Sequence, residues 1–169
     1  MDWRSEGRGR WLEAALPGAR AAFSTRLGGV SEAPFASLNL GILTDDEPAA
    51  VLENRRRLAA MLGFVPERVA IGRQVHGAEL LVNSGPQEPS PFAEPGSPIA
   101  ELDGQVVAEP DLAALVFVAD CLPVALAGPG GAAMLHCGWR GLAAGIVARG
   151  VKAVAATDAA IGPGIGACC

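Results

Sequence analysis

The chain has only two histidines, His76 and His136, only four cysteines, and no basic stripe, its longest basic run being Arg55-Arg56-Arg57. Each shortage excludes something. Lys and Arg number 13 against 18 Asp and Glu, for a formal charge of −5. A general nucleic-acid binder needs clustered cations to neutralise phosphates, so that class is excluded. The longest uninterrupted apolar stretch, Leu112 to Ala119, ends at Asp120 and is too short to cross a bilayer. The opening Met1-Asp2-Trp3-Arg4-Ser5-Glu6 lacks the apolar core of a signal peptide. The expectation is a cytoplasmic protein with no membrane partner. The cysteines, Cys121, Cys137, Cys168 and Cys169, make a poor disulfide framework, because two are adjacent and a vicinal bridge is strained. Reduced thiols are expected, at least one with a chemical role. Any imidazole chemistry falls to His76 and His136.

The 169 residues suit one domain, and 50% hydrophobic residues can fill its core. From Asn83 to Pro98 the chain holds Pro86, Pro89, Pro91, Pro95 and Pro98, which rules out a helix or inner strand. That stretch is predicted to be an exposed surface loop inside the domain. A helix is predicted from about Glu47 to Leu62. Asp45 or Asp46 would cap it, Pro48 suits its first turn and Gly63 its end. Val51, Leu52, Leu58, Ala59 and Leu62 share one side, and Glu53, Asn54, Arg56 and Arg57 fall elsewhere, as in an ordinary amphipathic surface helix. A second helix is expected to follow Gly141 and continue to about Ala156. Ala113–118, Leu122–127 and Ala132–136 read as strands, the last two joined by Gly128-Pro129-Gly130-Gly131. Leu80–82 and Gln105–108 add two more. Strands with few helices between them predict an α+β fold.

His76, Cys121 and His136 each sit at the edge of an apolar run, beside Gly, Pro or a charged residue, where sites are commonly built. Two imidazoles and a thiolate suit Zn²⁺ with a fourth position open, the catalytic pattern. Their separations match no compact zinc motif, so two other readings stand beside this one. The histidines can be satisfied turn or core residues with Cys121 a small buried hydrophobe. Alternatively Cys121 and His136 form a metal-free nucleophile and base. Asp120 is badly placed to orient His136 in that scheme, since strand neighbours point to opposite faces. By the same rule Cys137 faces away from His136 and packs. In Phe23-Ser24-Thr25-Arg26-Leu27-Gly28-Gly29, a cation beside two glycines can hold a phosphate, or form a plain turn with a solvated arginine. Ile161-Gly162-Pro163-Gly164 is compatible with an anion loop but is not a dinucleotide fingerprint. Arg140, four residues past His136, can reach a ligand at the metal or pair on the surface.

Together these segments resemble the YfiH, or laccase-domain, family. The likeness is carried by Ser24-Thr25-Arg26-Leu27-Gly28-Gly29-Val30-Ser31, Ser37-Leu38-Asn39-Leu40-Gly41, Gln74-Val75-His76-Gly77, Ala119-Asp120-Cys121-Leu122-Pro123 and His136-Cys137-Gly138-Trp139-Arg140-Gly141-Leu142. Asn54-Arg55, Leu102-Asp103 and Ile161-Gly162-Pro163 fit as well. The resemblance implies mixed β-sheets flanked by helices and a zinc site on His76, Cys121 and His136. It implies purine nucleosides and phosphate as partners: phosphorolysis of adenosine, inosine, guanosine and methylthioadenosine, with adenosine deaminase activity. Some members are linked to peptidoglycan editing, and an older label is copper-dependent phenol oxidase. A multicopper oxidase needs many imidazoles, which two histidines cannot supply, so bound copper would be adventitious. Water activated at zinc would suit attack on C6 of adenine. For phosphorolysis, Arg26 and Arg140 are expected to bind the phosphate or the ribose-side anion, with Gln74 and Asn39 as further substrate or supporting contacts.

This chain has Cys137 where the family commonly has Ala, and Gly164 where it often has Cys. Members also continue past the Ile-Gly-Pro segment through a Tyr-Glu-Val stretch, so a missing C-terminal part is expected. Two further readings follow. One is a metal-free Cys121/His136 amide hydrolase acting on cell-wall precursors; the other is an inactive metal-binding remnant. No feature of the sequence specifies an oligomeric state.

Overall fold

The computed structural model describes residues 1–41 and 43–155, together with the backbone of residues 164–168. Three strands open the chain: β1 (Asp2–Glu6), β2 (Gly9–Leu16) and β3 (Ala19–Ser24). Helix α1 (Pro48–Leu62) and a 3₁₀ turn (Pro66–Arg68) lead to β4 (Val69–Ala70). Then come β5 (Leu80–Asn83), β6 (Gly104–Val107), β7 (Ala113–Val116), β8 (Leu122–Gly128) and β9 (Gly131–Cys137). Helices α2 (Trp139–Ala143) and α3 (Ile146–Ala155) and strand β10 (Gly164–Cys168) follow.

The strands form two mixed sheets, ordered β1-β2-β3-β10-β7-β4 and β5-β6-β9-β8. Side-chain alternation explains how they stack. On β7, Ala113 and Leu115 face Leu58 and Leu62 of α1, while Ala114 and Val116 face Ala132 and Met134 of β9. The opposite face of β9, with Ala133, Leu135 and Cys137, packs on Ile146 and Val154 of α3. The order of layers is therefore α1, six-stranded sheet, four-stranded sheet, α3. This is the expected α+β arrangement of mixed sheets flanked by helices.

The β8–β9 hairpin forms as the Gly-Pro-Gly-Gly loop predicts, with Gly128 opposite Gly131. Several expectations need correction. β7 stops at Val116, and β8 lies in the other sheet, so the segment between them crosses between layers. The predicted second helix is broken at Gly145, whose φ of 84° favours glycine and separates α2 from α3. Ala156 and residues 161–163 lie outside the described residues. α1 ends on a left-handed Gly63 as expected, but its N-cap is Glu47 and no side chain caps it. Asp46 instead accepts from Ser31 Oγ and Asn39 Nδ2, and these two hydrogen bonds hold its carboxyl below the usual carboxylate range.

α1 is also more than an amphipathic surface helix, because Asn54 and Arg55 are buried. Asn54 Nδ2 donates to Ser31 Oγ and to the Asn39 carbonyl. The Arg55 guanidinium donates to the carbonyls of Leu40, Pro91 and Phe92 and lies 4.9 Å from the Phe92 ring centre. The proline-rich stretch has the predicted irregular backbone, but it is not exposed throughout: Phe92 is fully buried and Ser90 nearly so. Replacing Arg55 with Met fills similar volume but orphans those carbonyls. It should cost about 2–4 kcal/mol of stability, read from urea unfolding.

Candidate metal centre

His76, Cys121 and His136 come from three different places and converge. His136 is on β9, Cys121 immediately precedes β8, and His76 is in the loop after β4. Their potential ligand atoms all lie within 4.8 Å of one another. The two imidazole rings are 4.8 Å apart, close to edge-on at 76°. His136 is buried, Cys121 half-buried and His76 exposed, so the cluster opens on one side.

One residue organises two of the three. Asp103, just before β6, is fully buried. Its carboxylate accepts the backbone N–H of Val75 (3.1 Å), His76 (2.9 Å) and Gly77 (2.7 Å). It also accepts Nδ1–H of His136 at 2.7 Å. A carboxylate can only accept here, so His136 carries its proton on Nδ1 and leaves Nε2 bare for a metal. His76 has φ of 61°, a conformation rare for a residue with a side chain. The three amides gathered on Asp103 hold it there. In the sequence, Leu102-Asp103 stands only among the segments that carry the family resemblance, with nothing to assign Asp103 a role. The signal lay in an acidic residue at a strand start, too general to single out alone.

Two glycines let the loops approach. A Cβ on Gly138 would lie 3.1 Å from Cys121 Sγ and 3.2 Å from His76 Cδ2. A Cβ on Gly141 would lie 2.5 Å from the Gly77 carbonyl oxygen. Gly138 has an ordinary extended backbone, so Gly138→Ala tests spacing alone. It should displace the ligand atoms by a few tenths of an ångström and weaken metal binding by about ten-fold, with little change in Tm; competition titration with a chromogenic chelator would measure it.

Beside the cluster lies a cavity of about 350 Å³. Its walls include Leu43, Gly72, Phe117 and Ala119, with Arg73 and Asp120 as its Lys, Arg, Asp or Glu residues. Gln74 also lines it, but both ends of its amide are spent on the Phe117 backbone at 2.7 Å. Asn39 does not line it. Its Nδ2 donates to Thr44 Oγ1 and its Oδ1 accepts from Gly41 N–H, so it holds the Gly41–Thr44 wall in place. Arg26 is turned to a neighbouring cleft with Phe35 and Asn39, where its Nε donates to the Ala36 carbonyl at 2.7 Å and Nη2 shares the same oxygen. Arg140 is exposed on α2, its guanidinium 5.3 Å from the Trp139 ring centre. Cys137 packs on the far face of β9 as expected; burial, with the nearby Cys121 adding to it, pushes its thiol pKa up. Asp120 borders the cavity while Asp103 orients His136, which agrees with the strand-geometry argument.

This donor set fits a borderline-soft divalent ion: two imidazoles, one with its second nitrogen already engaged, and a thiol facing an open cavity. The class so defined is a mixed α+β protein with an open two-histidine, one-cysteine site. The chain belongs to the laccase-domain, or YfiH, family, whose model, described as multi-copper polyphenol oxidoreductase laccase, matches residues 20–169. It is 36% identical over 180 residues to the purine nucleoside phosphorylase YlmD of Geobacillus stearothermophilus, covering 99% of this chain and 65% of that protein. A Streptomyces coelicolor purine nucleoside phosphorylase is 44% identical over 140 residues, covering 82% of this chain and 55% of that protein. The crystal structure of YlmD superposes with a TM-score of 0.77 at 35% identity, covering 89% of this chain and 57% of YlmD. That of the Bacillus licheniformis hypothetical protein YfiH gives 0.73 at 30%, covering 79% and 51%. The chain thus spans about half to two thirds of the length of these relatives. No described helix is long and apolar enough to cross a membrane.

Proposed function

We propose that this chain carries the site of a zinc-dependent purine nucleoside phosphorylase acting on adenosine, inosine, guanosine and methylthioadenosine, with adenosine deaminase activity. The observation that supports it most is the meeting of His76, Cys121 and His136 at a largely apolar cavity, in a chain whose relatives bear the phosphorylase name. A zinc ion on these three residues supplies a Lewis acid and an open coordination position. The chain's own residues do the rest. Asp103 fixes the His136 ring and the His76 loop before any ligand arrives, so little reorganisation is needed on binding. Phe117 and Leu43 offer apolar surface for a flat heterocycle, and the Gln74 clamp keeps Phe117 from shifting. In phosphorolysis a phosphate oxygen bonds to the ribose anomeric carbon as the bond to the purine breaks. The base leaves with that electron pair and takes a proton from solvent.

Chromatography of reactions with inosine tests this. Hypoxanthine should form in phosphate buffer and not in its absence, and adenosine should yield inosine. Lack of phosphate-dependent release would refute phosphorolysis. Phenol oxidation through a copper cluster asks for more imidazoles than the two in this chain, and copper in this site remains adventitious.

One observation favours a second reading. Asp103, His136 and Cys121 also have the order of a thiol triad, with the acid that the sequence did not reveal. A metal-free amide hydrolase of this kind would be inactivated by alkylation of Cys121 and would survive chelators. The phosphorylase would lose activity to chelators and regain it with zinc.

A further inference from the structure

We infer that Arg73 is the phosphate-binding residue of this site, an assignment that rests on the phosphorolysis reading above. Arg73 borders the same cavity as His76, Cys121 and His136, and no other Lys or Arg does so among the described residues. The arginines favoured by sequence lie elsewhere. Arg26 is committed to the Ala36 carbonyl in the neighbouring cleft, and Arg140 lies over Trp139 on α2.

The backbone of Arg73 is fixed while its side chain is not. Its N–H donates to the Ala100 carbonyl (2.9 Å), and its own carbonyl accepts from Leu102 N–H (3.1 Å). These bonds anchor the residue between the cavity floor at Gly72 and the loop gathered on Asp103. The guanidinium pairs with Glu101 at 3.3 Å, and both side chains are more than half exposed (54% and 60%). An ion pair of this exposure is weak and easily exchanged. A phosphate dianion offers a guanidinium two oxygens in the geometry it prefers, with twice the charge of a carboxylate. Glu101 therefore serves as an internal stand-in, holding the cation beside the cavity until phosphate displaces it.

The other charge in the cavity sets the direction. Asp120 borders it too and repels a dianion. Phosphate is therefore held at the Arg73 guanidinium, and the contact Asp120 tolerates is with the neutral nucleoside.

The test is steady-state kinetics on the zinc-loaded full chain with inosine, varying phosphate, alongside calorimetric titration of inorganic phosphate into the protein. Arg73→Gln should raise the KM and Kd for phosphate by about 10- to 100-fold, with the inosine KM within about two-fold. Arg73→Lys, which keeps charge without the fork, should fall between. Glu101→Gln should tighten phosphate binding by up to about five-fold, an effect opposite to that of misfolding. Wild-type turnover together with an unchanged phosphate Kd in Arg73→Gln would overturn this assignment alone. A wild type that neither binds phosphate nor turns over would overturn the phosphorolysis reading, and this assignment with it.

Discussion

Protein purified without added metal should contain about one zinc per chain, and Cys121→Ala should contain almost none. Inductively coupled plasma mass spectrometry on the two proteins side by side would measure it. The expected loss is large because the thiolate is one of the three proposed ligands, and two imidazoles would leave an open site with little hold on a divalent ion. Among the described residues, neither Cys137 nor Asp103 can stand in. Cys137 is buried on the opposite face of its strand, and its raised thiol pKa keeps it protonated and a poor ligand. Asp103 is already occupied by three amides and an imidazole. Full zinc in the variant would remove Cys121 from the ligand set. Zinc in neither protein would favour the thiol triad, and alkylation would then decide.

The three candidate ligands could be picked out because the chain has only two histidines, but their spacing left other readings open, and it was the family resemblance that joined Cys121 to the histidines in one site. α1 and the β8–β9 hairpin were legible because their signals are local, a proline and a glycine at the helix ends and a glycine-rich turn. What stayed hidden depends on distant partners. β2 reads Gly-Arg-Trp-Leu-Glu-Ala-Ala-Leu and β3 Ala-Arg-Ala-Ala-Phe-Ser, compositions with no strand preference. Pairing between them, and of β3 with β10, makes them strands. Nothing local in the sequence marks Arg55 for burial, and the carbonyls of Leu40, Pro91 and Phe92 draw it inside. Arg26 looked available for phosphate, and the Ala36 carbonyl ten residues on takes its guanidinium. In each case the local residue types are compatible with either outcome, and the fold supplies the partner that selects one.

Asp103→Asn should cost more than a buried hydrogen bond, because it reverses donor and acceptor at one carboxyl oxygen. In the wild type Oδ2 takes Val75 and Gly77 N–H, while Oδ1 takes His76 N–H and His136 Nδ1–H. An amide has one acceptor oxygen. If that oxygen faces Val75 and Gly77, the NH₂ group meets the His76 N–H and the His136 ring. His136 can then relieve the clash by moving its proton to Nε2, the nitrogen a metal needs bare. If the amide is flipped, the NH₂ meets two backbone donors that cannot change tautomer, and the His76 loop loses the anchor that holds its left-handed backbone. Either way the site is damaged before metal arrives. The expected results are a loss of about 2–4 kcal/mol in unfolding stability and a zinc affinity lower by about 10- to 100-fold. The distinguishing readout is the nitrogen-15 spectrum of the imidazoles in metal-free protein. His136 should be the Nδ1–H tautomer in wild type and shift toward Nε2–H in the variant. A general loss of stability would not move that equilibrium. An unchanged His136 tautomer with unchanged zinc affinity would show that the ring is oriented by its packing in β9 and not by Asp103.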